Sequence, residues 1–371
     1  MRGSVYRKRR PNGSWSRWYA VIDLPKTPDG KRRQQTSTHD TRAEASAWLA
    51  QRVIELRAGE VYDAKVTVAD YLGQWLAGKA AVKESTRASY AGHVEQHLVP
   101  RLGHLKLRDL RAHHVEQAYR DILAQRAERP VGASGLRRVH ATVMSALNAA
   151  VRRGLIRRNP AAGVELPRPV ETERTVWSVA EATRFLQAIR DDRWYLIYRL
   201  LLIGGLRRGE ALGVRWDDLD WDAHTLTVRR QLTVVRGRLI DTTPKSRAGV
   251  RTIALDEITM AGLRALRRER PTPIVGASGG VFVTDTGDPI HPAAVSRHFS
   301  VLVRRAGLPM IRLHDLRHTS ATLGLAGGET LLEVSRRLGH SSITVTADIY
   351  AHPTGDQART AVTRLAAQLH P

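Results

Sequence analysis

The spacing of apolar residues changes twice along the chain. Near the start, WSRWYAVIDL (residues 15–24) has strand-like content, Pro25 and the Asp29–Gly30 pair mark turns, and residues 31–37 predict a further strand. From Arg42 to about Ala58, apolar Ala45, Trp48, Leu49, Val53 and Leu56 return at helical spacing. Thr41, with Glu44 three residues on, reads as the capping box that opens this helix. Residues 1–62 therefore predict a small β-sheet with one helix.

Residues 66–165 read as helix throughout. VTVADYLGQWLA, ESTRASYAGHVEQHLVPRLG, RAHHVEQAYRDILAQ and ASGLRRVHATVMSALNAAVRRGL each show a 3.6-residue period, with stops near Gly103, at Arg129–Pro130 and at Gly154. Asn159–Pro160 and the extended run LPRP, with Pro167 and Pro169, suit an interdomain linker. A third region, residues 173–371, opens on a capped helix in SVAEATRFLQAI and is mostly helical. Its interruption, Thr225 to Leu255, carries β-branched alternation (TLTVRRQLTVV, VRTIAL) with turns at Gly237 and Gly249, which predicts one small antiparallel sheet. A last helix is expected over about 356–369, where Val362, Leu365, Ala366 and Leu369 form an apolar stripe that packs on its own domain or on a neighbouring copy. The fold class is mainly α with small β-sheets (α+β), in three domains: 1–62, 66–165 and 173–371.

Charge narrows the function. The 371 residues include 59 Lys and Arg against 36 Asp and Glu, a net charge of +23. A ribosomal or membrane-surface protein can be this basic. Here, however, the basic residues are interleaved with apolar ones along the whole chain, which favours a folded protein with nucleic-acid-facing surfaces. The excess of Arg over Lys says little, since a GC-rich genome raises Arg and Ala together. In the first region Arg7, Lys8, Arg9, Arg10, Arg17, Lys31, Arg32 and Arg33 are expected on the sheet side, either as a β-sheet laid in a DNA groove or as a solvated basic surface. Cysteine is absent, which excludes disulfides, a thiol nucleophile and Cys-based zinc sites. No apolar stretch approaches the ~18 residues of a membrane span, and MRGSVYRKRR lacks the apolar core of a signal peptide. The expectation is a cytoplasmic protein with access to DNA.

Six positions in the third region carry candidate chemistry: Arg207 in GGLRRGEALGV, Lys245 in TPKSRAGVRTIAL at a hairpin between strands, His314 and Arg317 in LHDLRHTSA, His340 in RRLGHSS, and Tyr350 in TVTADIYAH. Taken singly, each has a plain reading. Tyr350 could be an amphipathic Tyr at a helix end, Arg207 and Glu210 a surface ion pair, and His314 and His340 core histidines or, with His318, metal ligands. As an ordered set they resemble the tyrosine recombinases, the family that includes the phage integrases. That family shows an Arg followed three residues on by Glu, a hairpin Lys, a His-x-x-Arg box, a Leu-Gly-His segment and a Tyr about ten residues later.

The resemblance implies a C-shaped clamp on DNA built from the second and third regions, with the first similar to the small arm-binding domains of some integrases. It implies a site-specific recombinase that integrates and excises a mobile element. The chemistry is consistent with the residue types. A Tyr350 hydroxyl can attack phosphorus and hold a strand as a 3′-phosphotyrosine ester without ATP, since one ester replaces another. Arg207 and Arg317 offer planar forks for the charge on the non-bridging oxygens, and Lys245 is a candidate general acid for the leaving 5′-oxygen. By resemblance, His314 would manage the Tyr proton and bond the phosphate, and His340 would donate to a non-bridging oxygen. Glu210, one turn from Arg207, is expected to orient a basic or histidine side chain and not to react. No cofactor and no metal are expected. The partners implied are double-stranded attachment-site DNA, a homotetramer on paired sites, and a directionality factor or host DNA-bending protein. A type IB topoisomerase and a DNA-binding regulator that has lost catalysis stand as alternatives.

Overall fold

The structure, a computed structural model, describes residues 3–11, 13–24, 32–57, 66–125, 130–169, 175–244, 247–269 and 279–350, with Thr363 and Ala366. The chain divides into two compact units, Met1–Glu171 and Thr172–Pro371.

The first unit begins with an antiparallel sheet, β1 (Gly3–Tyr6), β2 (Trp18–Leu24) and β3 (Arg33–His39), in that order. β1 has no signal in the sequence, because GSVY offers a single Val and no alternation to read. Helix α1 (Arg42–Arg57) covers one face of this sheet, where Ala20, Ile22 and Ala45 are fully buried. Its first turn is capped as expected: Glu44 N–H donates to Thr41 Oγ1 (3.2 Å) and Thr41 N–H to Glu44 Oε2 (3.4 Å). The expected break between 62 and 66 lies outside the described residues.

Among the described residues seven helical segments follow: α2 (Val68–Ala77), α3 (Glu84–His93), a π turn (Val94–Leu98), α4 (Val99–Leu102), a 3₁₀ turn (Leu107–Asp109), α5 (Ala112–Ala124) and α6 (Ala133–Arg152). They enclose a core around Tyr71, Trp75, Leu98, Ile122, Leu136 and Leu147, each such side chain contributing roughly 1.5–3 kcal/mol on burial. The single helix expected over 84–103 is corrected by the π turn. Pro100 has no N–H for the carbonyl of Gln96, and its ring crowds that carbonyl. Arg101 Nη1 donates instead to Gln96 O (3.5 Å) and His97 O (3.1 Å).

The second unit opens with α7 (Val179–Ala188), capped by Ser178 and Glu181. α8 (Tyr195–Leu202) is buried along most of its length, and α9 (Arg208–Leu212) follows at once. Strands β4 (Leu219–Asp220), β5 (Thr225–Val228) and β8 (Arg251–Ala254) form one sheet in the order β4-β5-β8. β6 (Gln231–Val235) and β7 (Arg238–Thr242) form a separate hairpin, turned by Arg236 (φ 49°) and Gly237 (φ 78°). One sheet was expected and two are found. Arg230 leaves the strand line to donate to buried Asp218 (2.9 Å), so the chain departs from the sheet between β5 and β6. Helices α10 (Glu257–Glu269), α11 (Pro292–Arg305), α12 (Asp315–Ala326), α13 (Leu331–Leu338) and α14 (Ile343–Tyr350) complete the unit. Trp177, Phe185, Tyr198 and Phe299 meet at its centre, with ring centroids 4.9 Å (Trp177–Phe185) and 5.4 Å (Phe185–Phe299) apart. Ala321, Val334 and Leu338 pack α12 against α13. The helix expected over 356–369 lies outside the described residues apart from Thr363 and Ala366. Among the described residues no helix is long and apolar enough to cross a membrane.

Candidate active site

The site is assembled around the last turn of α13. That helix ends in Gly339, whose left-handed backbone (φ 67°, ψ 49°) suits the residue without a side chain. The turn then hands the chain to His340, whose N–H donates to Ser335 O (3.1 Å). Three successive carbonyls here each accept from a different arginine. Arg251 Nε donates to Arg337 O (2.5 Å), Arg317 Nη2 to Leu338 O (2.5 Å) and Arg207 Nη2 to Gly339 O (3.5 Å). These carbonyls have no partners within the helix, and they carry the negative end of its dipole, so cations settle on them.

Each arginine comes from a different element. Arg207 is the N-cap of α9, and Glu210, at the third position of that helix, accepts from Arg207 N (2.9 Å) and Nη1 (2.7 Å). Glu210 is 1% exposed and also accepts from Arg251 Nη2 at 2.8 Å. Burial would raise its pKa, but the hydrogen bond and charge of Arg251, and then those of Arg207, bring it below the usual carboxylate value. Arg317, 3% exposed, sits in the first turn of α12 and also donates through Nη1 to Gly205 O (2.6 Å). Gly205, in the turn between α8 and α9, has φ 64°, a left-handed conformation that favours glycine, and a Cβ there would push against Leu338 Cδ2 of α13.

The histidines border the arginines. His340 is half-buried, with Nδ1 2.8 Å from the buried Thr346 Oγ1. Burial lowers its pKa to about 4, and Arg317, Arg207, His318 and Arg251 act in the same direction. It is therefore a neutral ring near pH 7. In the tautomer whose Nδ1 accepts from the Thr346 hydroxyl, the ring proton sits on Nε2 and can be donated outward. His314, the N-cap of α12, reaches solvent and meets His318 edge-on at 5.4 Å. Protein packed behind its ring lowers its pKa, and Arg317, Arg207 and Arg312 lower it further against the opposing effect of Asp315. Tyr350 is the last residue of α14, the helix that also carries Thr346. Lys245 lies outside the described residues. The strands on either side of it, β7 and β8, belong to different sheets, with a 3₁₀ turn at Arg247–Gly249 before β8.

The structure thus brings Arg207, Glu210, Arg317, His314 and His340 into one cluster. Sequence reasoning missed Arg251, Thr346 and Gly205, and held Gly339 only as the middle of the Leu-Gly-His segment. Arg251 left a signal, since it shares a strand face with the buried Ile253, where an alternating pattern calls for an apolar residue. Among the described residues no three His, Asp or Glu side chains gather as metal ligands.

The basic residues of the first region are spread over its surface. Arg33 lies opposite Leu24, on the same side as Ile22, Gln35 and α1. Arg32 pairs with Asp23 (2.9 Å) and Arg17 with Asp40 (2.6 Å). Arg7 lies over the rings of Trp15 and Trp18 (5.2 and 4.9 Å), and Lys8 over Tyr19 (5.4 Å). Arg9 bridges to Trp15 and Arg10 is exposed, while Lys31 lies outside the described residues. Strand alternation gives the face opposite α1 to Ser4, Tyr6, Tyr19, Val21, Asp23, Gln34, Thr36 and Thr38, with Lys8 over the Tyr19 ring and Arg32 on Asp23.

The phage integrase family profile matches residues 177–356, and the phage integrase N-terminal SAM-like domain matches residues 67–123. A tyrosine recombinase XerC-like protein of Caldanaerobacter subterraneus subsp. tengcongensis is 26% identical over 377 aligned residues, covering 94% of this chain and 95% of that one. The Tn1549 transposon integrase, solved in complex with a circular intermediate DNA, superposes with a TM-score of 0.68 at 23% identity, over 81% of this chain and all of that one. A lambda integrase tetramer bound to a Holliday junction gives a TM-score of 0.58 at 19% identity, over 92% and 94% of the two chains. At these identities the two structures bear on fold.

Proposed function

The chain belongs to the phage integrase family of tyrosine recombinases, enzymes that cleave and rejoin DNA by transesterification, and from that premise we propose that it integrates and excises a mobile element through a 3′-phosphotyrosine formed on Tyr350. The observation that carries this reading is the lodging of Arg207 and Arg317, from separate elements, on neighbouring carbonyls of the turn that bears His340.

In the proposed reaction the Tyr350 hydroxyl attacks the scissile phosphorus. The phosphorus–oxygen bond to the 5′-oxygen breaks, and Lys245 protonates that oxygen as it leaves. Arg207 and Arg317 offset the charge that builds on the non-bridging oxygens, a role in which one Arg is worth ~10³–10⁵ in rate. His340 donates from Nε2 to one of those oxygens, and His314 receives the Tyr350 proton. Glu210 orients Arg207. A partner strand's 5′-hydroxyl then attacks the phosphotyrosine and restores the phosphodiester. Residues 66–165 and 173–371 would hold the crossover site. Residues 1–62 would bind separate arm sites, with the hydroxyl- and ring-bearing face of the sheet against DNA. A homotetramer on paired sites is supported by the tetrameric lambda neighbour. A directionality factor or host bending protein, and action in the cytoplasm at the nucleoid, complete the proposal.

A nicked crossover-site duplex tests it. The wild-type chain should form a denaturant-resistant protein–DNA adduct in excess chelator, whereas Tyr350→Phe should bind the same DNA and form none. Adduct of normal yield from Tyr350→Phe, or adduct that requires added magnesium, would show the site to be misread.

A further inference from the structure

Resting on the catalytic reading above, we propose that Arg251 is a positioning residue for the reaction, holding Glu210 so that Arg207 keeps its positive charge for the scissile phosphate. Arg251 begins β8 and its side chain is 6% exposed. Its guanidinium makes three contacts: Nη2 with Glu210 Oε2 (2.8 Å), Nε with Arg337 O (2.5 Å) and Nη1 with Gly249 O (3.1 Å). The first reaches the carboxylate that orients Arg207. The second occupies the first of the three carbonyls below His340, and the third ties down the end of the segment that carries Lys245. The packing is close enough that a Cβ on Gly339 would lie 2.9 Å from Arg251 Cδ and 2.6 Å from Ala248 O.

The charge balance gives the mechanism. Glu210 is one carboxylate facing two guanidiniums, so the trio carries one net positive charge, which remains with the more exposed Arg207. Without Arg251, Glu210 has Arg207 as its remaining guanidinium partner. The Nη1 contact at 2.7 Å would become a two-pronged pair, the charge would be cancelled, and the guanidinium would turn from the phosphate. Burying a guanidinium costs several kcal/mol unless it is paired, and an apolar residue beside Ile253 would serve folding alone at lower cost. An arginine in this place is explained by what it does to Glu210 and Arg207.

The experiment uses the full chain on nicked crossover-site DNA, following single-turnover adduct formation at saturation and measuring DNA binding separately. Arg251→Met should bind with unchanged affinity and react about 10- to 100-fold more slowly, by analogy with the loss of a residue that orients a metal ligand from behind. Adding Glu210→Gln removes the charge that captures Arg207, so the double variant should recover part of the lost rate. A methylphosphonate at the scissile position carries one negative charge fewer through the reaction and leaves Arg207 less to offset, and there the deficit of Arg251→Met should shrink several-fold. Losses that compound in the double variant and persist undiminished on the neutral linkage would mean that Arg251 serves only the fold, and would overturn the proposal. If circular dichroism shows that Arg251→Met does not fold, Arg251→Lys is compared on the charged and neutral linkages instead, and a deficit equal on both would overturn it. A wild-type chain that forms no adduct overturns the catalytic reading and this proposal with it, whereas normal adduct formation by Arg251→Met overturns this proposal alone.

Discussion

His340 shows how a single residue couples the site to solution conditions. Its pKa of about 4 in the folded chain lies below the ~6.5 of an unperturbed imidazole. Between those values the unfolded chain binds a proton that the folded chain refuses, so stability rises with pH through this window and levels off above it. His93, His97, His140, His298 and His314 are shifted in the same direction, chiefly by burial. Urea unfolding should therefore give a lower midpoint at pH 5 than at pH 7.5. His340→Gln should lose less of its stability over the same interval, because one of the refused protons is gone. An identical loss in the two proteins would show that His340 is not held neutral.

At the scale of elements, α13 is short, with eight residues, and depends on its ends. Thr330 Oγ1 accepts from Glu333 N–H (3.2 Å) and Glu333 Oε2 from Thr330 N–H (2.7 Å). Thr330→Ala should lower stability by ~1 kcal/mol, read as a shift of the denaturation midpoint at unchanged slope; no shift would mean that tertiary packing alone holds the helix. Elements with strong periodicity were legible in the sequence: α1 with its Thr41 cap, the helices of 66–165, the Ser178 start of α7. What sequence could not provide was pairing between distant segments. β8 joins β5 and leaves β7 in a separate hairpin because of where Arg230 finds Asp218, a tertiary contact with no local trace. The π turn was visible only as Pro100 inside an otherwise regular pattern. The candidate site was legible as an ordered motif, yet its scaffold was not. Carbonyls 337–339 have no side-chain identity to read, and Arg251 becomes meaningful only once Glu210 is known to lie beside it.

At the scale of the molecule, the charge of +23 raises the question of which DNA each part of the chain holds. A fragment beginning near Lys65 should still form adduct on crossover-site DNA while losing affinity for flanking arm sites. Every phosphate that the fragment leaves unneutralised should reduce the salt slope of binding by about 0.9 on duplex DNA. Titrations at several salt concentrations, on core and flanking DNA separately, measure both quantities. Equal binding of flanking DNA by the fragment and the full chain would make residues 1–62 a structural appendage.

The three carbonyls beneath His340 also bear on how such a site withstands mutation. A side-chain acceptor is one base change away from being removed; a backbone carbonyl survives every substitution at its position. Residues 337 and 338 can therefore exchange side chains within the limits of packing without removing an acceptor from Arg251 or Arg317. Only Gly339, whose left-handed turn admits no ordinary replacement, is tied to its identity. Much of the anchor for the reacting arginines is thus out of reach of point mutation, and of carbonyls 337–339 the one at Gly339 depends most on the residue that bears it.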